Sequence, residues 1–282
     1  MKGTRPTRFR LAVLLFFLAF LSSTIAYPSF SRGHLPRTSE DLLFGFSFSI
    51  PLFLILLAHE LGHFVTARIY GLEASYPYFI PAPNMIGTMG AIILMRGRIP
   101  HRTSILETGA MGPIAGFVVA IPLYLYGIAH SQLIPLPSEG SPGGLKLGDP
   151  LIARFLTDLV WGPIPEGMDL SLHPVAFAGW VGFLVTSLNL LPVGQLDGGH
   201  VIFGLLPRLF PILSRITVAV LVVMGYLSWI GWGFWAIVLI LVGFHHPSPI
   251  WNERKLLLRT RILGILALII FFLTFMPNPF PP

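Results

Sequence analysis

Apolar residues run through this chain in long blocks, without the short alternations of a water-soluble domain. Seven blocks stand out, at about residues 11–27, 42–70, 108–129, 172–192, 212–229, 231–245 and 262–276. A helix of roughly 20 residues crosses a bilayer core, so each block predicts a membrane helix, the fifth and sixth being short. One helix over 216–244 would merge those two. Gly231-Trp232-Gly233 argues for a break there, because glycine is the least costly residue at a sharp turn.

Charge in the connecting segments orders these crossings. Lys2, Arg5, Arg8 and Arg10 precede the first block. Arg96, Arg98 and Arg102 lie between the second and third, and Arg254, Lys255, Arg259 and Arg261 between the sixth and seventh. Seven crossings put all three clusters on one side, the cytoplasmic one, with the N-terminus inside. The 131–171 segment is acidic, as an external loop can be. A multi-pass protein of the cell membrane is expected. The first block could instead be a signal peptide, but no small-x-small cleavage site follows cleanly after residues 22–27, so an uncleaved anchor is favoured.

Two connections carry their own pattern. After Gly87-Thr88-Met89-Gly90, the run Ala91-Ile92-Ile93-Leu94-Met95 reads as one strand of a hairpin, too apolar for an ordinary loop. Asp149-Pro150 signals a helix start. Leu151, Ile152, Phe155, Leu156, Leu159 and Val160 then recur on one face, suited to lying on a membrane surface. The expected fold is an all-α polytopic membrane protein of about seven transmembrane helices. A small membrane-associated β-hairpin joins the second and third spans. Residues 1–282 form one membrane-embedded domain, and the 131–171 loop is too short for a PDZ-type insert.

Composition agrees: 54% of residues are hydrophobic and 11% charged, against about 25% charged in soluble domains. The net charge of +6 sits beside apolar blocks, not in a stripe, and so reads as orientation and not as nucleic-acid binding. Cysteine is absent, which excludes disulfides and thiolate-held metals and leaves His, Asp and Glu as ligands.

Those ligand types recur inside the second block. His59 and His63, in His59-Glu60-Leu61-Gly62-His63, lie one helical turn apart on one face and can hold one metal ion. Glu60 points to the rim of that face, where it can take a proton from water activated by zinc. Side chains that merely bond to neighbouring helices are the bland alternative, but three ionisable groups within a membrane helix are costly and imply function. A catalytic zinc takes three protein ligands and keeps a fourth position open. Asp197 supplies the third best, at the end of Asn189-Leu190-Leu191-Pro192-Val193-Gly194-Gln195-Leu196-Asp197-Gly198-Gly199-His200. The assigned topology gives it the same cytoplasmic depth as His63. A plain turn residue is the alternative for Asp197, and His200 is a rival ligand. Gly112, Gly116, Gly179 and Gly182 read as helix-packing residues. His173, Pro174 and Trp180 read as anchors of an interface.

The two motifs together resemble the site-2 protease family of intramembrane zinc metalloproteases, PDZ-lacking type. The likeness covers about 42–206, with 11–27 and 212–276 as accessory spans. It implies that His59, His63 and Asp197 bind one Zn2+, that Glu60 is the catalytic base and that Asn189 helps to hold substrate. It also implies that a hairpin edge within 87–102 meets an unwound substrate. The implied activity is zinc endopeptidase cleavage of transmembrane segments by metal-activated water. The partners are then transmembrane protein substrates and the lipid bilayer, with no nucleic acid. A zinc or other divalent-metal transporter, or a catalytically silent binder of membrane proteins, is the alternative. His245-His246-Pro247 resembles a His-Pro element of some relatives, though interfacial imidazoles before a helix stop explain it better.

Overall fold

A computed structural model describes residues 9–96, 101–136, 145–244 and 255–281. Among the described residues the helices are α1 (Phe9–Arg32), α2 (Ser39–Ile69), α3 (Arg102–Ala129), α4 (Leu151–Trp161), α5 (Pro174–Asn189), α6 (Asp197–Leu205), α7 (Phe210–Leu227), α8 (Ile230–Val242) and α9 (Leu258–Thr274). The strands are β1 (Glu73–Ala74), β2 (Tyr78–Pro81), β3 (Thr88–Ile92), β4 (Met95–Arg96), β5 (Gln132–Pro135) and β6 (Met168–Ser171). Every predicted apolar block coincides with a helix. α1, α2, α3 and α7 are long and apolar enough to cross a membrane, while α5 and α8 are apolar but shorter. His245-His246-Pro247, Arg98 and Arg254, with Lys2, Arg5 and Arg8, lie outside the described residues.

α2 starts on a reciprocal cap. The Thr38 hydroxyl accepts from the Asp41 N–H at 3.2 Å, and the Asp41 carboxylate accepts from the Thr38 N–H at 3.1 Å. Donors left orphaned in the first turn are thereby satisfied. Arg32, at the end of α1, pairs with the same carboxylate and fixes the α1–α2 corner. α2, α3 and α5 pack mutually and make the centre of the bundle; α6 and α9 lie on α3, and α1 lies on α2. Glycines set the close approaches. A Cβ at Gly62 would overlap the Met111 carbonyl, Gly182 rests against Ile55, and Gly179 against Tyr124.

Four readings of the sequence shift in the structure. The α7–α8 break falls at Ser228 and Trp229, before the Gly-Trp-Gly run. The glycines serve contact instead of turning: a Cβ on Gly225 would overlap the Gly233 backbone. The strand expected over 91–95 ends at Ile92, and Met95–Arg96 pairs separately with Glu73–Ala74. The turn fixes this register. Gly87 takes φ +79°, and the Asn84 side-chain oxygen accepts from the Ile86 and Gly87 N–H groups at 3.0 and 2.7 Å. Beyond Ile92 the Leu94 N–H donates to the Ser75 hydroxyl at 2.9 Å, which draws the chain across to β1. Buried Phe79 docks the hairpin on Phe16 of α1 and Phe53 of α2. β5 and β6 pair antiparallel and close the long loop, strands that its weak alternation had not revealed.

Trp180 is the fourth shift. It is 1% exposed, not interfacial, and its indole N–H donates to the Gly148 carbonyl at 2.7 Å. Phe177 stacks on one side of it and Phe280 meets its edge. Trp180→Ala is therefore expected to destabilise the fold by about 3–5 kcal/mol, seen as a lowered thermal midpoint in detergent. The apolar face expected of α4 is divided in the structure, Leu156 turning to the bundle while most of the others stay exposed. Ala153 and Leu156 are buried on the bundle, Trp161 donates to the Ile128 carbonyl at 2.8 Å, and Leu151, Phe155 and Leu159 stay exposed.

Candidate metal centre

α2 presents His59 and His63 to α3, and α6 presents Asp197 from its first residue. Three ligand atoms form a nearly equilateral triangle. His59 Nε2 and His63 Nε2 are 3.1 Å apart, and each lies 3.2 Å from Asp197 Oδ2. The short edges do not amount to a hydrogen-bonded trio, for Oδ2 is buried and meets no donor in hydrogen-bond geometry. Ligand atoms about 2.0 Å from a tetrahedral ion stand about 3.3 Å apart. Triangle, donor types and orphaned oxygen therefore fit one zinc ion.

The surrounding chain aims these atoms. His63 Nδ1 lies 2.8 Å from the Thr108 carbonyl oxygen. A carbonyl only accepts, so Nδ1 carries the proton and the Nε2 lone pair is left to face the triangle. Gly112 makes room for this ring, since a Cβ there would overlap the imidazole. Gly116, one turn on, leaves His59 its place: a Cβ would stand 3.1 Å from the His59 Cβ.

Asp197 is placed by a tight coil. Gly194 turns the chain at φ +55°, a conformation that favours glycine. A Cβ on Gly198 would overlap the Leu190 carbonyl, so the 190–196 loop wraps directly over the first turn of α6. The Ser214 hydroxyl, from α7, donates to the Pro192 carbonyl at 3.0 Å and holds the loop from outside.

The structure brings the other predicted residues to the same place. Glu60, next to His59 on α2, is buried beside the cluster. Asn189, the last residue of α5, sets its amide nitrogen 3.3 Å from His59 Nε2. His200 does not belong to the convergent group: the ligand atoms within 4.8 Å of one another are those of His59, His63 and Asp197. Thr108 is the site residue that sequence reading missed. It acts through its backbone carbonyl, a group every residue carries, so no side-chain pattern signals it.

Comparison with known proteins identifies the family. The model of peptidase family M50 matches residues 47–231. The chain is 31% identical over 234 residues to the probable zinc metalloprotease EGY2, chloroplastic, of Arabidopsis thaliana, covering 80% of this chain and 41% of that protein. It is 36% identical over 157 residues to the probable zinc metalloprotease EGY1, chloroplastic, of the same plant, covering 53% and 28%. To the probable zinc metalloprotease EGY3, chloroplastic, of Oryza sativa subsp. indica it is 26% identical over 264 residues, covering 81% and 42%. The chain thus spans less than half the length of these relatives. No solved structure matches.

Proposed function

The chain belongs to peptidase family M50, and from that premise we propose that it is an intramembrane zinc endopeptidase acting on transmembrane segments of other proteins. The observation that carries the reading is the convergence of His59 Nε2, His63 Nε2 and Asp197 Oδ2 beside the buried carboxylate of Glu60. These three residues would hold one zinc ion, which supplies Lewis acidity and activates water at neutral pH.

The remaining steps fall to the chain itself. Glu60 takes the proton of the attacking water and delivers it to the departing amine. Thr108 holds the His63 ring through Nδ1, so that ligand does not rotate during turnover. The Asn189 amide, beside His59, donates to a carbonyl of the substrate backbone. Packed helices around the site keep these groups buried, which strengthens each of these electrostatic contacts.

Within this reading the apolar blocks make seven spans, the N-terminus faces the cytoplasm, and the protein resides in the cell membrane as a single catalytic domain. The β2–β3 hairpin supports substrate capture: it is a two-stranded sheet with exposed apolar side chains at Met89 and Ile92. A metal transporter is less well served by this site. Three convergent ligands with a general base beside them favour retention and hydrolysis, whereas transport requires release.

The test is cleavage of a helical membrane substrate by the purified full chain. A strong chelator should abolish cleavage and one equivalent of zinc should restore it. Asp197→Ala, lacking one ligand of three, should need far more zinc for the same recovery. Undiminished cleavage after verified metal removal would sink the proposal.

A further inference from the structure

Glu107 is a buried carboxylate with no part in the chemistry above. It lies on α3, next to Thr108, and donors reach it from two other parts of the fold. The Tyr70 hydroxyl donates to Oε2 at 2.8 Å, the Thr260 hydroxyl to Oε1 at 2.6 Å, and the Arg259 guanidinium to Oε2 at 3.2 Å. Tyr70 caps the C-terminal end of α2, while Arg259 and Thr260 belong to the first turn of α9.

The energetics do not favour such a group as mere glue. Burying a carboxylate is costly even when it is paired, and an apolar side chain of similar size often packs as well or better. Here the pairing is one-sided: the Arg259 side chain is 74% exposed and that of Glu107 6%. What Glu107 supplies in return is directional. α2 is fastened to α3 at two points, Tyr70 on Glu107 and His63 on the adjacent Thr108 carbonyl. Two such points fix both the rotation and the axial register of α2 against α3, and α9 braces the same carboxylate from the far side.

We propose that Glu107 is a positioning residue for the metal ligand His63, coupling α9 and the end of α2 to the carbonyl that orients its imidazole. This rests on the zinc-protease reading of the site. Glu107→Gln keeps the shape but replaces one accepting oxygen with a donor and removes the charge. Zinc affinity, from competition with a chromophoric chelator, should fall about 10-fold, the lower end for groups that support metal ligands. Cleavage should lose kcat with little change in KM, and the thermal midpoint should stay near that of the wild type. Tyr70→Phe should act in the same direction but more weakly. The double variant should be no worse than Glu107→Gln, because both changes open one contact. A lowered midpoint with wild-type zinc affinity and kcat would make Glu107 a packing residue and overturn the proposal. Should Glu107→Gln not fold, Tyr70→Phe and Arg259→Gln decide alone, unchanged zinc affinity in both being fatal. A wild-type chain that neither binds zinc nor cleaves would instead remove the underlying reading, and this proposal with it.

Discussion

Replacing Glu60 by glutamine is expected to leave zinc bound and to cut the rate of cleavage by about 100- to 10,000-fold, the usual contribution of a positioned general acid–base. The two side chains share a shape, so packing at this buried position is kept. The metal is expected to stay because the atoms that could hold it belong to His59, His63 and Asp197, not to Glu60. What is lost is the capacity to take a proton from water and return it to the amine. Zinc content and single-turnover cleavage, measured on one preparation, check both halves. Near-normal cleavage would assign the base to another residue. Zinc flux across vesicles that survives the substitution, with no proteolysis by the wild type, would favour a transporter.

Gly112→Ala should have the second-largest effect, though it changes no ligand. Its Cβ would overlap the His63 imidazole, whose other side is held by the hydrogen bond from Nδ1 to Thr108. The ring must swing out of the triangle or α3 must retreat from α2. Zinc affinity is expected to fall about 10- to 100-fold, as when a partner that orients a metal ligand is lost, and cleavage should fall with it. Gly116→Ala is the matched control. Its Cβ would stand 3.1 Å from the His59 Cβ, a contact that a slight backbone shift relieves, so the loss should be much smaller. Equal effects from both would mean that general helix spacing, and not ring placement, is what Gly112 protects.

The candidate ligands and much of the helical order are legible in the sequence, for an identifiable reason. His59, Glu60, His63 and Asp197 are ionisable groups in an apolar context, where each is conspicuous, and helical periodicity pairs the first three without further information. The supporting shell was less legible. Gly112 and Gly116 read only as small packing residues, and nothing in a one-dimensional pattern says that an imidazole rather than a methyl group fills the space. Glu107 sits in the same kind of apolar stretch as Glu60, but its partners Tyr70, Arg259 and Thr260 are scattered along the chain. The hairpin register escaped because Asn84 and Ser75 decide it through hydrogen bonds to backbone, which hydrophobic alternation does not record. Trp180 was misplaced because tryptophan suits both an interface and a core, and only the Gly148 carbonyl shows which applies.

α5 has 16 residues, a length of about 24 Å at 1.5 Å per residue, whereas a bilayer core is about 30 Å thick. A lipid-facing helix of that length would force the membrane to thin or would oligomerise to hide the mismatch. Most of α5 is enclosed by protein, so it meets no such demand. Its short length is therefore no obstacle inside the bundle, and the irregular backbone from Leu190 to Leu196 is covered by protein, with Leu191 and Val193 clustered against Trp232 and Leu239 of α8. Protein thereby stands in for lipid around the loop that delivers Asp197, so a helix about 6 Å shorter than the bilayer core still sets a polar side chain against His59 and His63 from an apolar surround.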